Sequence, residues 1–163
     1  MVTEFIRIPL ITHAFLSREK GIMAYSAIDI AKYVINYEID HGREITNLRL
    51  QKLLYFVQAK VLMETEYPCF NDVMEAWEYG PVVPAVYKEF CRYRNLPIEK
   101  QSLNTKIEST ITALIENILE FLSGISTSEL VQITHCQDPW VEAKKKGNRQ
   151  PISISAIGKY FKD

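Results

Sequence analysis

Apolar positions recur with a helical period along most of the chain. Behind Ser26, which has Asp29 three residues on as the partner of a helix cap, Ile28, Ala31, Val34, Ile35 and Ile39 share one side of the axis, while Asp29, Lys32 and Tyr33 point elsewhere. Gly42 supplies the stop, so the pattern predicts a helix over 27–41. The next helix, expected over 47–64 behind the cap Thr46, is different. Leu48, Leu50, Leu53, Leu54, Phe56, Val57, Val61, Leu62 and Met63 surround its axis, which places it at the centre of a bundle. It carries one polar seam, Gln51, Tyr55 and Gln58, at i, i+4 and i+7. Once buried, each of these groups needs a partner, because an unpaired one costs on the order of 1–3 kcal/mol.

Beyond the central helix the period breaks. Tyr67 to Asn71 reads as a loop, and 72–78 alternates acidic and apolar residues as a short strand does. Tyr79, Gly80, Pro81 and Val82 are expected to form a turn, with Pro84 opening a third helix whose face is Val86, Tyr87, Phe90 and Tyr93 and whose end lies near Arg94 and Asn95. Residues 96–105 read as a connector with room for a short strand. A long helix over 106–123 then presents Ile107, Ile111, Leu114, Ile115, Ile118, Phe121 and Leu122 on one broad face, closed by Gly124. Ser126 and Glu129 form a capping box for a helix through Thr134; Asp138 caps another, with Pro139 first inside it and Lys144, Lys145 and Lys146 in its last turn. A final helix is expected over 153–161. The fold class is mainly α: an irregular multi-helix bundle around a central apolar helix, with at most one short β-strand pair.

Residues 1–22 fit none of these patterns and read as an arm or extension, with residues 23–163 as the domain; Met23 opens the domain and is a candidate initiating methionine. Phe5, Ile6, Ile8, Leu10 and Ile11 alternate too irregularly to assign, and Arg7, Pro9 and His13 interrupt the run as a signal peptide would not be interrupted. With 163 residues, 47% apolar and 24% charged, the chain has the makings of one globular core. No apolar run reaches the roughly 20 residues of a membrane helix. A formal charge of −1 confines any polyanion binding to a local patch. Three scattered cysteines, Cys69, Cys91 and Cys136, do not make a disulfide framework and suit a reducing, cytoplasmic setting.

Candidate chemistry is sparse. His135 and Cys136 are adjacent, so on a helix they point about 100° apart, and no further ligand spacing accompanies them; no metal, cofactor or catalytic residue is assigned. His135 is expected to hydrogen-bond the junction before Trp140 or to pack on its indole. Glu64, Glu66, Asp72, Glu75 and Glu78 make a locally negative stretch, with no Lys or Arg between Lys60 and Lys88. The segment from Val141 is the opposite, with Lys144, Lys145, Lys146, Arg149, Lys159 and Lys162 against Glu142 and Asp163. That basic segment supports an alternative reading as a nucleic-acid-binding regulator, although no recognition-helix pair, zinc-finger spacing or aromatic RNA-binding signature accompanies it. Tyr55, Phe70, Trp77, Tyr79, Tyr87, Phe90, Tyr93 and Trp140 gather near Gly80 and Pro81; packed they are core, and exposed they are what a protein-recognition anchor requires.

Three blocks carry a resemblance. They are Thr46 to Phe56, read TNLRLQKLLYF; Glu75 to Pro84, read EAWEYGPVVP, with Tyr87 beyond; and Thr134-His135 joined to Pro139-Trp140. In this order and spacing they resemble the Panacea, or SocA-like antitoxin, domain family of bacterial and phage toxin-antitoxin systems. The resemblance implies a mainly α, non-enzymatic antitoxin that neutralises a protein toxin encoded by a neighbouring gene through protein-protein contact, by masking it or by presenting it to a protease. It also implies a phage or prophage association, and leaves room for a homo-oligomer. The signature residues carried over are Gln51, Lys52, Tyr55, Trp77, Tyr79, Gly80, Pro81, Tyr87, His135 and Trp140, read mostly as scaffold. Gln51 and Tyr55 are expected to meet the Gly80-Pro81 turn and His135 at one buried junction.

Overall fold

The computed structural model describes residues 7–9 and 24–163. In chain order these form α1 (Ala27–Asp40), α2 (Asn47–Thr65), β1 (Met74–Trp77), β2 (Gly80–Val82), α3 (Pro84–Phe90), a 3₁₀ turn (Cys91–Tyr93), α4 (Ser109–Leu122), α5 (Thr127–His135), α6 (Asp138–Lys145), β3 (Gln150–Ile152) and α7 (Ile154–Lys162). The fold is mainly α. Local signals start the helices: Asp29 N donates to Ser26 Oγ at 3.1 Å, Arg49 N to Thr46 Oγ1 at 3.3 Å, and Ser126 and Glu129 exchange both bonds of a capping box at 3.2 and 2.8 Å. Ser153 caps α7 through Ala156 N at 3.0 Å.

α2 is the axle. It touches α1, α3, α4, α5, α7 and β2, and 16 of its 19 residues are buried. A helix covered on all sides has no face left for solvating charge, so its polar side chains turn into fasteners for the backbone of surrounding segments. Arg49 donates to Ile125 O at 2.8 Å and Leu122 O at 3.3 Å, satisfying carbonyls at the end of α4. Gln58 accepts from Cys69 N and donates to Phe70 O, both at 2.7 Å, which pins the loop after α2. Lys60 pairs with Glu64 at 2.5 Å and donates to the carbonyl of Pro9, whose neighbour Ile8 is buried in the core.

On α1 the buried set is Ala27, Ile30, Ala31, Val34, Ile35 and Glu38, so the stripe lies slightly to one side of that read from sequence, and Ile28 and Ile39 are only half-buried. Buried Glu38 holds Arg43 through two bonds at 2.8 and 3.1 Å, and Arg43 also reaches Glu120 of α4 at 3.0 Å.

The small sheet has order β2-β1-β3, both pairings antiparallel. Its register is Glu75↔Val82, Ala76↔Pro81, Trp77↔Gly80 on one side and Met74↔Ile152, Glu75↔Pro151, Ala76↔Gln150 on the other. β3 adds a third strand to the expected pair. The turn also lies earlier than expected: Glu78 and Tyr79 make it, and Gly80, Pro81 and Val82 are the returning strand. Each edge strand has a proline at its middle position, Pro81 in β2 and Pro151 in β3.

Other boundaries shift by a few residues. α4 begins at Ser109 rather than 106, because Glu108 is extended and its N–H is held by the Tyr25 hydroxyl at 3.0 Å. Gln137, not Asp138, is the N-cap of α6. α3 ends at Phe90 and only the 3₁₀ turn continues to Tyr93, while residues 96–105 form no strand. The arm boundary at 22/23, the role of Met23 and the arm residues other than Arg7, Ile8 and Pro9 lie outside the described residues.

Candidate functional site

The β1–β2 hairpin is held by its backbone from two directions. From α2, Gln51 Oε1 accepts the Val83 N–H at 2.9 Å and Lys52 Nζ donates to Pro81 O at 2.7 Å. Gln51 in turn donates to Asn47 Oδ1 at 2.9 Å, and Asn47 donates to Tyr87 O at 3.1 Å, so one chain of bonds links α2, the start of α3 and the hairpin. From the other side, His135 Nε2 donates to Glu78 O at 3.0 Å and Trp140 Nε1 donates to Trp77 O at 2.9 Å. The imidazole and indole stack at 4.2 Å with their planes 28° apart. Sequence blocks separated by more than 50 residues thus grip one turn.

Gly80 stands at the centre of this clamp. Its φ is +105°, and a Cβ there would lie 2.6 Å from Thr134 Oγ1 and 3.0 Å from Lys52 Cε, so both backbone conformation and space demand glycine. Lys52 is fully buried, and with Pro81 O as its hydrogen-bond acceptor and no carboxylate partner among the described residues, burial pushes its amine down to about 7. Burial likewise holds His135 below the usual imidazole range, partly opposed by its bond to Glu78 O. The neutral ring is therefore the form that suits this stack at neutral pH.

Tyr55 does not join the junction. Its ring packs edge-on against Phe56 at 5.1 Å and Phe161 at 5.9 Å, its hydroxyl has no hydrogen-bond partner among the described residues, and burial pushes it well above the usual phenol range. The seam read along α2 therefore splits: Gln51 faces the hairpin, Gln58 the loop after α2, and Tyr55 the side of α7.

The outer side of the hairpin is aromatic. Trp77 lies 5.0 Å from the Tyr87 ring and donates its indole N–H to Glu75 Oε2 at 2.7 Å. The Arg149 guanidinium covers the same indole at 4.1 Å. Tyr79, at the tip, is 65% exposed and Tyr87 40%. Two roles do not follow from the sequence: Thr134, part of the third block, is the wall against Gly80, and Arg149, part of the basic segment, is the cap on Trp77. For Arg149 the available signal was the Gly147-Asn148 turn pair just before it, which marks a chain reversal back onto the sheet.

The arrangement is a hydrogen-bonded frame with aromatic side chains on its outer side. Among the described residues no group of three or more His, Cys, Asp or Glu is placed to hold a metal ion. An open cavity of about 810 Å³ lies elsewhere, between Met63, Pro139, Tyr160 and Phe161. Among the described residues, no helix is long and apolar enough to cross a membrane.

The family described as antitoxin SocA-like, Panacea domain, matches residues 50–141, which contain both halves of the clamp and the hairpin but not β3 or Arg149. The chain is similar to Antitoxin SocA of Caulobacter vibrioides (strain NA1000 / CB15N), with 32% identity over 133 residues, 73% of this chain and 71% of the relative. No solved structure matches the chain.

Proposed function

The chain belongs to the SocA-like, Panacea-domain antitoxin family, and on that premise we propose that it neutralises a protein toxin by direct protein-protein contact, with no catalysis of its own. The observation that carries this reading is the hairpin: its backbone is clamped by Gln51, Lys52, His135 and Trp140 while Tyr79 and Tyr87 remain exposed beside Trp77. Residues of these types dominate the energetics of protein interfaces, and fixing them on a rigid frame lowers the entropy lost on binding. Gln51, Lys52, Gly80, Pro81, His135 and Trp140 then act as frame, Trp77, Tyr79 and Tyr87 as the surface, and Tyr55 as packing. The toxin is the product of a neighbouring reading frame in a cytoplasmic, prophage-borne pair.

Basic residues near the C-terminus lend the nucleic-acid alternative little support, since Lys144 stands 3.5 Å from Glu78 and Lys145 2.7 Å from Glu142. Co-expression tests the proposal. The adjacent product should arrest growth alone, be harmless beside this chain, and co-purify with it; a toxin that stays active and unbound refutes the reading. Repeating the rescue in cells lacking individual cytoplasmic proteases separates masking from delivery, because masking alone survives the loss of every protease.

A further inference from the structure

Arg149 is built for more than covering an indole. Its φ is +54°, a left-handed conformation that is costly for a side chain of this size, and it is fixed there by its N–H, which donates to Ala76 O at 3.1 Å, and by the pairing of Gln150 with Ala76. The result is an exposed arginine whose guanidinium carbon sits 4.1 Å from the centre of the Trp77 ring. Among the described residues it has no carboxylate partner, and the carboxylates on this side of the molecule are engaged: Glu75 accepts from Trp77 Nε1, Glu78 faces Lys144 and Glu142 faces Lys145. Contact with the indole restrains the guanidinium, and no hydrogen bond to its N–H donors is seen among the described residues; free donors of this kind bind a carboxylate through two parallel bonds.

We infer that the Arg149–Trp77 stack, flanked by Tyr87, is the anchor for a carboxylate-bearing segment of the partner protein, an inference that rests on the antitoxin reading. Charge complementarity selects this occupant. A nucleic-acid backbone calls for a row of free cations, whereas two of the neighbouring lysines are already neutralised and aromatic rings occupy the flank. One guanidinium held against an indole, without a carboxylate partner among the described residues, suits a single Asp or Glu set among apolar residues. The backbone strain also separates binding from stability: Arg149→Gly suits the left-handed backbone better than arginine does and loses only the side chain.

The first arm of the test needs no toxin. The chain has two tryptophans, so the Trp77 indole N–H signal can be followed by NMR during titration with a glutamate octapeptide, a lysine octapeptide and a mixed-sequence DNA duplex. The glutamate peptide is expected to shift the Trp77 signal saturably in the wild type, less in Arg149→Lys, and not in Arg149→Gly, with the lysine peptide inert. No shift, a shift that survives Arg149→Gly, or an Arg149-dependent response to DNA in place of the peptide overturns the inference. In the second arm, with the neighbouring gene product, Arg149→Gly should weaken the complex about tenfold or more and flatten its salt dependence while the melting temperature holds or rises. A complex indifferent to Arg149→Gly overturns the inference and leaves the antitoxin reading standing. If no complex forms with the wild type, the antitoxin reading fails and the anchor loses its partner.

Discussion

Lys52→Met isolates the buried ammonium that holds the hairpin. The unfolded amine titrates near 10.5 and the folded one at about 7, so between those values the unfolded chain binds more protons and stability rises with pH. From pH 7 to pH 9 the linkage relation gives the wild type a gain of about 2 kcal/mol from this residue alone. Methionine has nearly the same length and no charge, and removes that dependence. It also leaves Pro81 O without its donor, which costs on the order of 1 kcal/mol or more at every pH and so moves the variant's curve without tilting it. Burial holds the imidazole of His135, a neighbour in electrostatic reach, below its usual range, and that ring is common to both proteins. Thiols at Cys69, Cys91 and Cys136 are common to both proteins and cancel in the difference. Urea unfolding followed by circular dichroism at the two pH values supplies the measurement. The wild type should gain about 2 kcal/mol on the variant between pH 7 and pH 9. Parallel dependence of the two proteins, within the extrapolation error of the method, refutes the idea that Lys52 is buried with a depressed affinity for protons.

Two further substitutions probe the same clamp. Gly80→Ala drives a methyl group to 2.6 Å from Thr134 Oγ1 at a φ of +105°, and is expected to lower stability by about 2–4 kcal/mol in thermal or urea melts. Adding Thr134→Ala should restore only part of that loss, and full restoration would show that backbone conformation contributes nothing. Gln51→Ala leaves the Val83 N–H without its acceptor and should cost about 1–3 kcal/mol; an unchanged melting temperature would mean that the hairpin does not depend on α2.

Residues that act within their own helical turn were the most legible. Ser26, Thr46, the Ser126 and Glu129 box, and Pro84 mark helix starts through bonds spanning three or four positions, which a linear reading captures. The hairpin clamp was legible through the family resemblance, whose three blocks carry Gln51, the Gly80-Pro81 pair and His135. What stayed hidden depends on tertiary pairing. Gln150, Pro151 and Ile152 form β3 because β1 offers a second hydrogen-bonding edge, and nothing in three residues lacking alternation announces it. The partner of Lys52 stayed hidden too, although a signal was present: a helix apolar on every side has nowhere to solvate Arg49, Lys52 and Lys60, so all three had to find carbonyl or carboxylate partners inside. Tyr55 misled for the converse reason. Its hydroxyl lies far from its Cα, and sequence spacing fixes only where a side chain begins.

Both outer strands of the little sheet carry an imino acid midway, and one of them is further closed off by the Lys52 amine. Main-chain zippering with a foreign peptide is thereby discouraged, and so is stacking of copies into fibrils at high expression. Any contact made through this hairpin would then run through its side chains rather than its main chain. A protein built in this way can acquire a different client through a few surface replacements, without renegotiating the fold that displays them.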